Sequence, residues 1–243
     1  MYDIHCHICF GADDGAENLE TAVEMVALAA EHGTAGIAAT PHCNVPGVYR
    51  NTWSPKLHNR IRTLRAALQE KGIGVTIYTG QEIFCTDDTP ALLASGALIT
   101  LNRSRYPLVE FHFYEAADSV YRKLQTLIAD GYTPVVAHPE RYAFLSEDPD
   151  AAMRIRRLGC LMQINKSSLY GRFGTAAYHA SHRLLAHRLA DVVASDAHSP
   201  YVRTPNLRNA HELVCEEYSY DYADLLFEEN PRRILDNEDI FSD

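Results

Sequence analysis

The chain contains no run of about 18 apolar residues, so no helix long enough to span a membrane is expected. Its start, Met1-Tyr2-Asp3-Ile4-His5-Cys6-His7, lacks both the basic stretch and the apolar stretch of an export leader. Positive charge is scarce: 22 Lys and Arg face 32 Asp and Glu, a formal net charge of -10. A surface of that sign repels phosphodiester backbones and anionic bilayers, so no nucleic-acid partner and no membrane insertion are expected. Linker-like Gly/Ser or Pro-rich stretches are also missing. With 47% hydrophobic residues, the sequence reads as one globular domain over 1–243, expected in the cytoplasm. The six cysteines are expected to be free thiols, since no export leader points to an oxidising compartment. None has Arg at the sixth following position, and Cys43 comes nearest with Arg50 at the seventh. The C-x5-R signature of thiolate phosphatases is therefore absent.

What is present is a recurring unit, a short apolar run followed by an amphipathic stretch. The runs are 2–4, 35–40, 75–80, 108–111, 134–137, 161–164 and 191–194. Short, often β-branched runs of this kind suit strands buried on both faces of a parallel sheet. Between them, Leu19, Val23, Val26, Ala27 and Ala30 share a helical face that ends at Gly33. Leu57, Ile61, Leu64 and Leu68 form a second face, ending at Gly72. Asp118 is placed to N-cap a helix carrying Val120, Leu124, Leu127 and Ile128, closed by Gly131. Further helices are expected around 149–158, 176–189, 206–218 and 222–235. Seven strand-helix repeats predict an α/β fold with a parallel sheet. Closure gives a barrel, and an open doubly wound sheet is the alternative.

Polar residues able to bind metal follow these runs. His5 and His7 stand two apart, so on a strand both imidazoles face one side. Asp13-Asp14-Gly15 comes next, then His42, Glu82, Glu110 and His138, and finally Asp196 and His198. In a parallel barrel the C-terminal strand ends meet at one face, where active sites lie. Nine ligands (His5, His7, Asp14, His42, Glu82, Glu110, His138, Asp196, His198) exceed what one ion takes and suit two or three. Three divalent cations would turn the negative charge of the four carboxylates into a small positive surplus that favours a phosphate dianion. Imidazole mixed with carboxylate fits Mn, Fe or Zn. His32, His58, His179, His182, His187 and His211 fall on expected helices and read as solvated. His112 follows Glu110 by two and could share its face.

These residues resemble the PHP (polymerase and histidinol phosphatase) superfamily of metal-dependent phosphoesterases. One branch is closest in pattern, the manganese-dependent bacterial tyrosine-protein phosphatases of capsule and exopolysaccharide clusters. The resemblance runs through Asp3-Ile4-His5-Cys6-His7-Ile8, Asp13-Asp14-Gly15-Ala16, Thr40-Pro41-His42 and Gly80-Gln81-Glu82-Ile83. It continues through Ser104-Arg105-Tyr106-Pro107-Leu108-Val109-Glu110-Phe111, Ala137-His138-Pro139-Glu140-Arg141-Tyr142, Gln163-Ile164-Asn165 and Ala194-Ser195-Asp196-Ala197-His198. Asn230-Pro231-Arg232-Arg233-Ile234-Leu235 closes it, so essentially the whole chain is covered.

The resemblance implies a distorted seven-stranded TIM-like barrel holding three divalent ions, most often Mn2+. It implies that His5, His7, Glu82 and Asp196 hold a first ion, and that Glu82 bridges to a second held by Glu110 and His138. Asp14, His42 and His198 hold the third, with Asp13 as substitute if the turn register differs. Arg141 and Arg203 match positions that contact the phosphate. The implied partner is a phosphotyrosine protein, a bacterial tyrosine kinase presenting a tyrosine-rich tail. Cys9-Phe10 departs from the usual Leu-Pro before Gly11, and His112 is more basic than expected, but neither change removes a ligand. Rival readings are a small-molecule phosphatase such as one for histidinol phosphate, a metal-dependent amidohydrolase, and a PHP domain kept as an interaction module. The acidic tyrosine cluster 216–222 reads as a partly exposed helix junction rather than a regulatory site.

Overall fold

A computed structural model describes residues 1–148 and 150–240. The seven expected runs are all strands, and two short strands join them. The strands are β1 (Tyr2–Cys6), β2 (Gly36–Ala39), β3 (His42–Cys43), β4 (Thr76–Thr79), β5 (Glu82–Phe84), β6 (Leu108–Glu110), β7 (Val135–Ala137), β8 (Leu161–Asn165) and β9 (Val192–Ala194). All pair in parallel, but in two sheets rather than one: β1-β2-β4, and β3-β5-β6-β7-β8-β9.

The division has a local cause. Between β2 and β3 stands Pro41, which has no N–H to give a ladder. Thr40 there turns its hydroxyl to Cys6 N (2.9 Å). Gly80 and Gln81 interrupt the neighbouring pair β4 and β5 at the matching level. Strand pairing lapses at both places and resumes beyond them, where His42 and Glu82 pair in register.

Beyond the ladders, β1 and the end of β9 are tied by backbone bonds. Asp196 N donates to His5 O (2.8 Å) and His7 N to Ala197 O (2.9 Å). The buried Asp3 carboxylate accepts from His5 N and Ser195 N across the same seam. One apolar cluster gathers Ile4, Ala38, Leu108, Val135, Leu161 and Val192, with Tyr78 packed against it, a contribution from each of the seven expected strands. Ile234 and Leu235, from the C-terminal part of the chain, belong to it as well.

Helices cover the outside: α1 (Leu19–Glu31), α2 (Pro55–Glu70), α3 (Thr89–Ala94), α4 (Ala117–Ala129), α5 (Ala143–Glu147), α6 (Ala151–Arg157), α7 (Thr175–Ala186), α8 (Arg208–Glu217), α9 (Tyr220–Asp224) and α10 (Asn230–Leu235). Asn18 caps α1 through Thr21 N (2.9 Å), and Pro55 sits at the start of α2, where its missing N–H costs nothing. The α2 face expected from the sequence is the buried one: Leu57, Ile61, Leu64 and Leu68.

Two expectations need correction. Asp118 does not cap α4, which begins after Ala116 without a side-chain cap; Asp118 lies in the first turn, where its charge still meets the positive end of the helix dipole. The helix expected over 222–235 is α9, a π-helical turn at Leu225–Glu229 and α10, because Pro231 removes a ladder donor. The helix expected from 149 is α6, and residue 149 lies outside those described, as do 241–243 of the expected domain.

Candidate metal centre

His5 and His7 leave the end of β1 on one face, while Cys6 between them turns into the apolar cluster shared with α1 and α2. Their Nε2 atoms lie 3.3 Å apart, and Asp196 Oδ1 is 3.4 Å from both. Ligands about 2.0–2.1 Å from one cation stand roughly 3.0–3.4 Å from each other, so this spacing is that of a coordination shell.

The far side of each ring is held. Asp196 can only accept, so Asn165 turns its Nδ2 to it (2.6 Å). Asn165 Oδ1 then accepts from Gln163 Nε2 (2.9 Å), and Gln163 Oε1 accepts from His5 Nδ1 (2.8 Å). The proton of His5 is thereby placed on Nδ1, leaving the Nε2 lone pair for a cation. Asp13 does the same for His7, with Oδ2 2.7 Å from its Nδ1. Asp13 also accepts from His42 N (2.8 Å) and Gly15 N (3.1 Å). Gly15 is needed for close approach, since a Cβ there would lie 2.2 Å from His7 O.

Asp14, next in the chain, faces the other way, with Oδ1 3.7 Å from His42 Nε2 and 3.5 Å from His198 Nε2. Glu82 is the hub. Its Oε1 lies 2.9 Å from His138 Nε2 and 3.2 Å from His5 Nε2. Its Oε2 lies 2.8 Å from His42 Nδ1 and 3.3 Å from His7 Nε2. Glu110 completes that side, 3.1 Å from His42 Nδ1 and 3.8 Å from His138 Nε2. All nine expected ligands therefore meet in one place. Three groups have donor atoms within 4.8 Å of one another: His5, His7 and Asp196; His42, Glu82 and Glu110; and His7, Asp14, His42 and His198.

The donor set fits cations. Among the described residues, Glu82 Oε2 and His198 Nε2 are buried without a hydrogen-bond partner. Glu82 Oε2 approaches His42 Nδ1 closely but without the alignment of a hydrogen bond. Burial works against charge on His42, yet the Glu82 and Glu110 carboxylates push it up to about 10. His5 and His7 are also raised: burial opposes this, and carboxylates outweigh it, Glu82 for His5 and Asp13 for His7. Burial likewise opposes the lowering of Glu82 and Asp196, which facing imidazoles bring about, His5 foremost. The His198 ring holds Asp14 below the carboxylate range. Protons on His5, His7 and His42 thus offset the carboxylates, a place that bound cations would take. His138 (φ 36°) and Asp196 (φ 48°) take left-handed backbone conformations, about 1–3 kcal/mol of strain each, which the rest of the fold sustains.

Arg141, in a single turn Pro139–Arg141, lies with its guanidinium 4.3 Å from the Phe113 ring and 4.4 Å from the Phe173 ring. Arg203 Nη2 is 2.5 Å from Asp196 Oδ2, and Arg141 Nη1 is 4.0 Å from the same oxygen. Lys166 donates to Asn206 O (2.5 Å) and Thr204 Oγ1 (3.2 Å), tethering the loop that carries Arg203; burial lowers it to about 8. Because it is occupied there, it does not bridge ligands as the lysine of an amidohydrolase would.

His112 is exposed and accepts from Tyr114 N through its Nδ1, so it faces a turn rather than the cluster. All six cysteines are free. Burial raises the thiols of Cys9, Cys85 and Cys160 to about 12, far from thiolate chemistry. Tyr218 is half-buried, Tyr220 exposed and Tyr222 buried, which is the junction expected at α8 and α9. Sequence reasoning missed Gln163 as the holder of the His5 ring, Asn165 as its link to Asp196, and the roles of Phe113, Phe173 and Lys166. Two polar residues alternating on an otherwise buried strand were a usable signal for the first pair. The other three carry no local signal.

Comparison with known proteins gives a consistent picture. The family profile described as "Capsular polysaccharide synthesis, CpsB/CapC" matches residues 1–236. Tyrosine-protein phosphatase YwqE of Bacillus subtilis is 35% identical over 245 aligned positions, covering 99% of this chain and 94% of that protein. A crystal structure from work on YwqE of B. subtilis and CpsB of Streptococcus pneumoniae, described as unique metal-dependent tyrosine phosphatases, superposes with a TM-score of 0.92. Identity to it is 34%, with 99% of this chain and 96% of that chain covered. A Lactococcus lactis histidinol phosphate phosphatase, solved with zinc, L-histidinol and phosphate, has a TM-score of 0.58 at 15% identity over 93% of this chain and 94% of that one. That likeness shows the fold alone.

Proposed function

This chain belongs to the CpsB/CapC family of capsular polysaccharide synthesis, and we infer from that membership that it is a metal-dependent protein-tyrosine phosphatase. The observation that carries the reading is Glu82, whose two oxygens lie within 3.3 Å of four imidazoles inside a site that also holds two arginines. Its substrate is an autophosphorylated bacterial tyrosine kinase of capsule or exopolysaccharide synthesis, met in the cytoplasm through its tyrosine-rich tail. No helix among the described residues is long and apolar enough to cross a membrane.

Three divalent ions, Mn2+ by family resemblance, would be held as the sequence implies: the first by His5, His7, Glu82 and Asp196, the second by Glu82, Glu110 and His138, the third by Asp14, His42 and His198. His42 presents Nε2 to Asp14, which supports its place at the third, while its Nδ1 faces Glu82 and Glu110. The whole of 1–243 acts as one domain. The two sheets together make a distorted seven-stranded barrel, supported by the seam between β1 and β9 and by the cluster shared among seven strands.

When bound, such ions supply Lewis acidity and lower the pKa of water to about 7. The chain's own work is positioning. Gln163 and Asp13 fix the histidine rings. Arg141 and Arg203 present planar forks to the phosphate oxygens. The phenol of tyrosine, with a pKa of about 10, leaves without a strong acid. A protein substrate is further supported by exposed apolar side chains on the loops that follow site residues: Val48 (67% exposed), Tyr114 (80%), Tyr201 (75%) and Val202 (70%). Solvent-facing apolar groups beside a polar site suit a bound peptide.

Metal content and activity measured on one preparation test the reading. Hydrolysis of a phosphotyrosine peptide should far exceed that of histidinol phosphate, and both should disappear with the metals. Preference for histidinol phosphate would favour the small-molecule alternative, and a folded protein that takes up no metal would favour an interaction module.

A further inference from the structure

Phe173 is a large apolar side chain with an unusual set of neighbours. It lies in the short loop between the Ser168–Tyr170 turn and α7, and it is only partly buried. Among the described residues it joins none of the three apolar clusters, whereas Phe113 packs against the largest of them. Its ring faces two cations instead. The Arg141 guanidinium carbon lies 4.4 Å from its centroid, and that of Arg203 lies 5.6 Å away. The loop that presents it is bounded by Gly171 (φ +69°) and Gly174 (φ +93°), both in the backbone region that side chains disfavour. The ring thus packs on guanidinium groups rather than on the apolar clusters, and two left-handed glycines bracket the loop that presents it.

We propose that Phe173 is a positioning residue that holds both arginines of the site at once, setting the separation and tilt of their forks over the phosphate position. The proposal rests on the reading that Arg141 and Arg203 grip phosphate. Both arginines face Asp196 Oδ2, but Arg203 lies 2.5 Å from it and Arg141 only 4.0 Å. Arg141 therefore depends on its aromatic neighbours for orientation. Phe113, which packs against the main apolar cluster, supports it at 4.3 Å, and Phe173, at 4.4 Å, links it to Arg203. A planar cation stacked on aromatic rings keeps its N–H edge free to bond, which a carboxylate partner would consume.

The test is kinetic, on the full metal-loaded enzyme. Phe173→Leu keeps apolar bulk but removes the π face, and Phe173→Tyr restores it. Phe173→Leu should lower kcat/KM on an aryl phosphate about tenfold and weaken inhibition by inorganic phosphate by a similar factor. Metal content and Tm should stay as in the parent, and Phe173→Tyr should recover most of both losses. In an Arg141→Ala background, the further loss caused by Phe173→Leu should shrink, because the two act together. Parent-like kinetics and phosphate inhibition in Phe173→Leu would overturn the proposal. So would an equal loss in the Leu and Tyr variants with lowered Tm or metal content, since that marks a structural role. If Arg141→Ala and Arg203→Ala themselves leave phosphate inhibition unchanged, the phosphate assignment falls and takes the proposal with it. A failure confined to Phe173 leaves that assignment standing.

Discussion

Gln163 Oε1 lies 2.8 Å from His5 Nδ1, behind the ring and away from the ligand cluster. That contact fixes which nitrogen of His5 faces the cations, and Asn165 anchors it to Asp196. Gln163→Leu should lower metal affinity about 10–100-fold while leaving the fold intact. A metal titration of activity after chelation checks this, and unchanged affinity would show that the ring needs no holder.

Gly15→Ala probes the turn behind His7. The added methyl would meet His7 O at 2.2 Å, so the turn or the strand end must move. The expected cost is above about 2 kcal/mol of stability, together with loss of metal. Thermal unfolding and elemental analysis of the purified variant report both.

The arginines should separate binding of phosphate from binding of metal. Arg141→Ala is expected to lower kcat/KM about 100-fold or more with full metal content. Arg141→Lys should not rescue it, since an ammonium lacks both the planar fork and the stacking faces. Arg203→Ala should also reduce activity and raise the product-inhibition constant for phosphate. Steady-state kinetics beside metal analysis give the answer.

Chelation and alkylation should have opposite results. A strong chelator is expected to abolish hydrolysis of an aryl phosphate and to lower Tm, because a bound ion stabilises the folded state. A thiol alkylator should leave activity in place: five of the six cysteines are buried, and the partly exposed Cys215 sits on α8. Loss of activity on alkylation with metals retained would contradict the metal reading.

Stability against pH has a clear source at Asp191. Burial raises its carboxyl to about 6, despite Arg156 at 2.5 Å and a bond from Met162 N. The folded state therefore holds this proton above pH 3.8, where the unfolded chain releases it. The stabilisation is complete below pH 3.8 and is lost as pH rises through 6. It amounts to about 3 kcal/mol. Denaturant unfolding of the parent and of Asp191→Asn between pH 4 and 6.5 should show the parent losing ground to the variant by that order.

Much of the site was legible because period-2 alternation is a local property. His5 and His7 had to share a face once 2–4 was read as a strand, and residues ending parallel strands had to converge. Asp14 rather than Asp13 followed from the resemblance; in the structure Asp14 lies 3.5 Å from His198 Nε2, and Asp13 holds His7 from behind. The strand breaks at Pro41 and at Gly80-Gln81 were written in the sequence, but strands of two or three residues carry no periodicity, so β3 and β5 were not anticipated. Phe173 was unreadable for a different reason. Its neighbours come from residues 141 and 203, and nothing in its own flanks names them.

The apolar cluster of Ile4, Ala38, Leu108, Val135, Leu161 and Val192 also contains Ile234 and Leu235, so the helix nearest the end of the described chain is packed into the centre that the strands share. Cutting the chain before α10 would leave that apolar surface in water, at about 25 cal/mol per Å² exposed. Truncation there should therefore loosen the strands themselves rather than trim a dispensable tail.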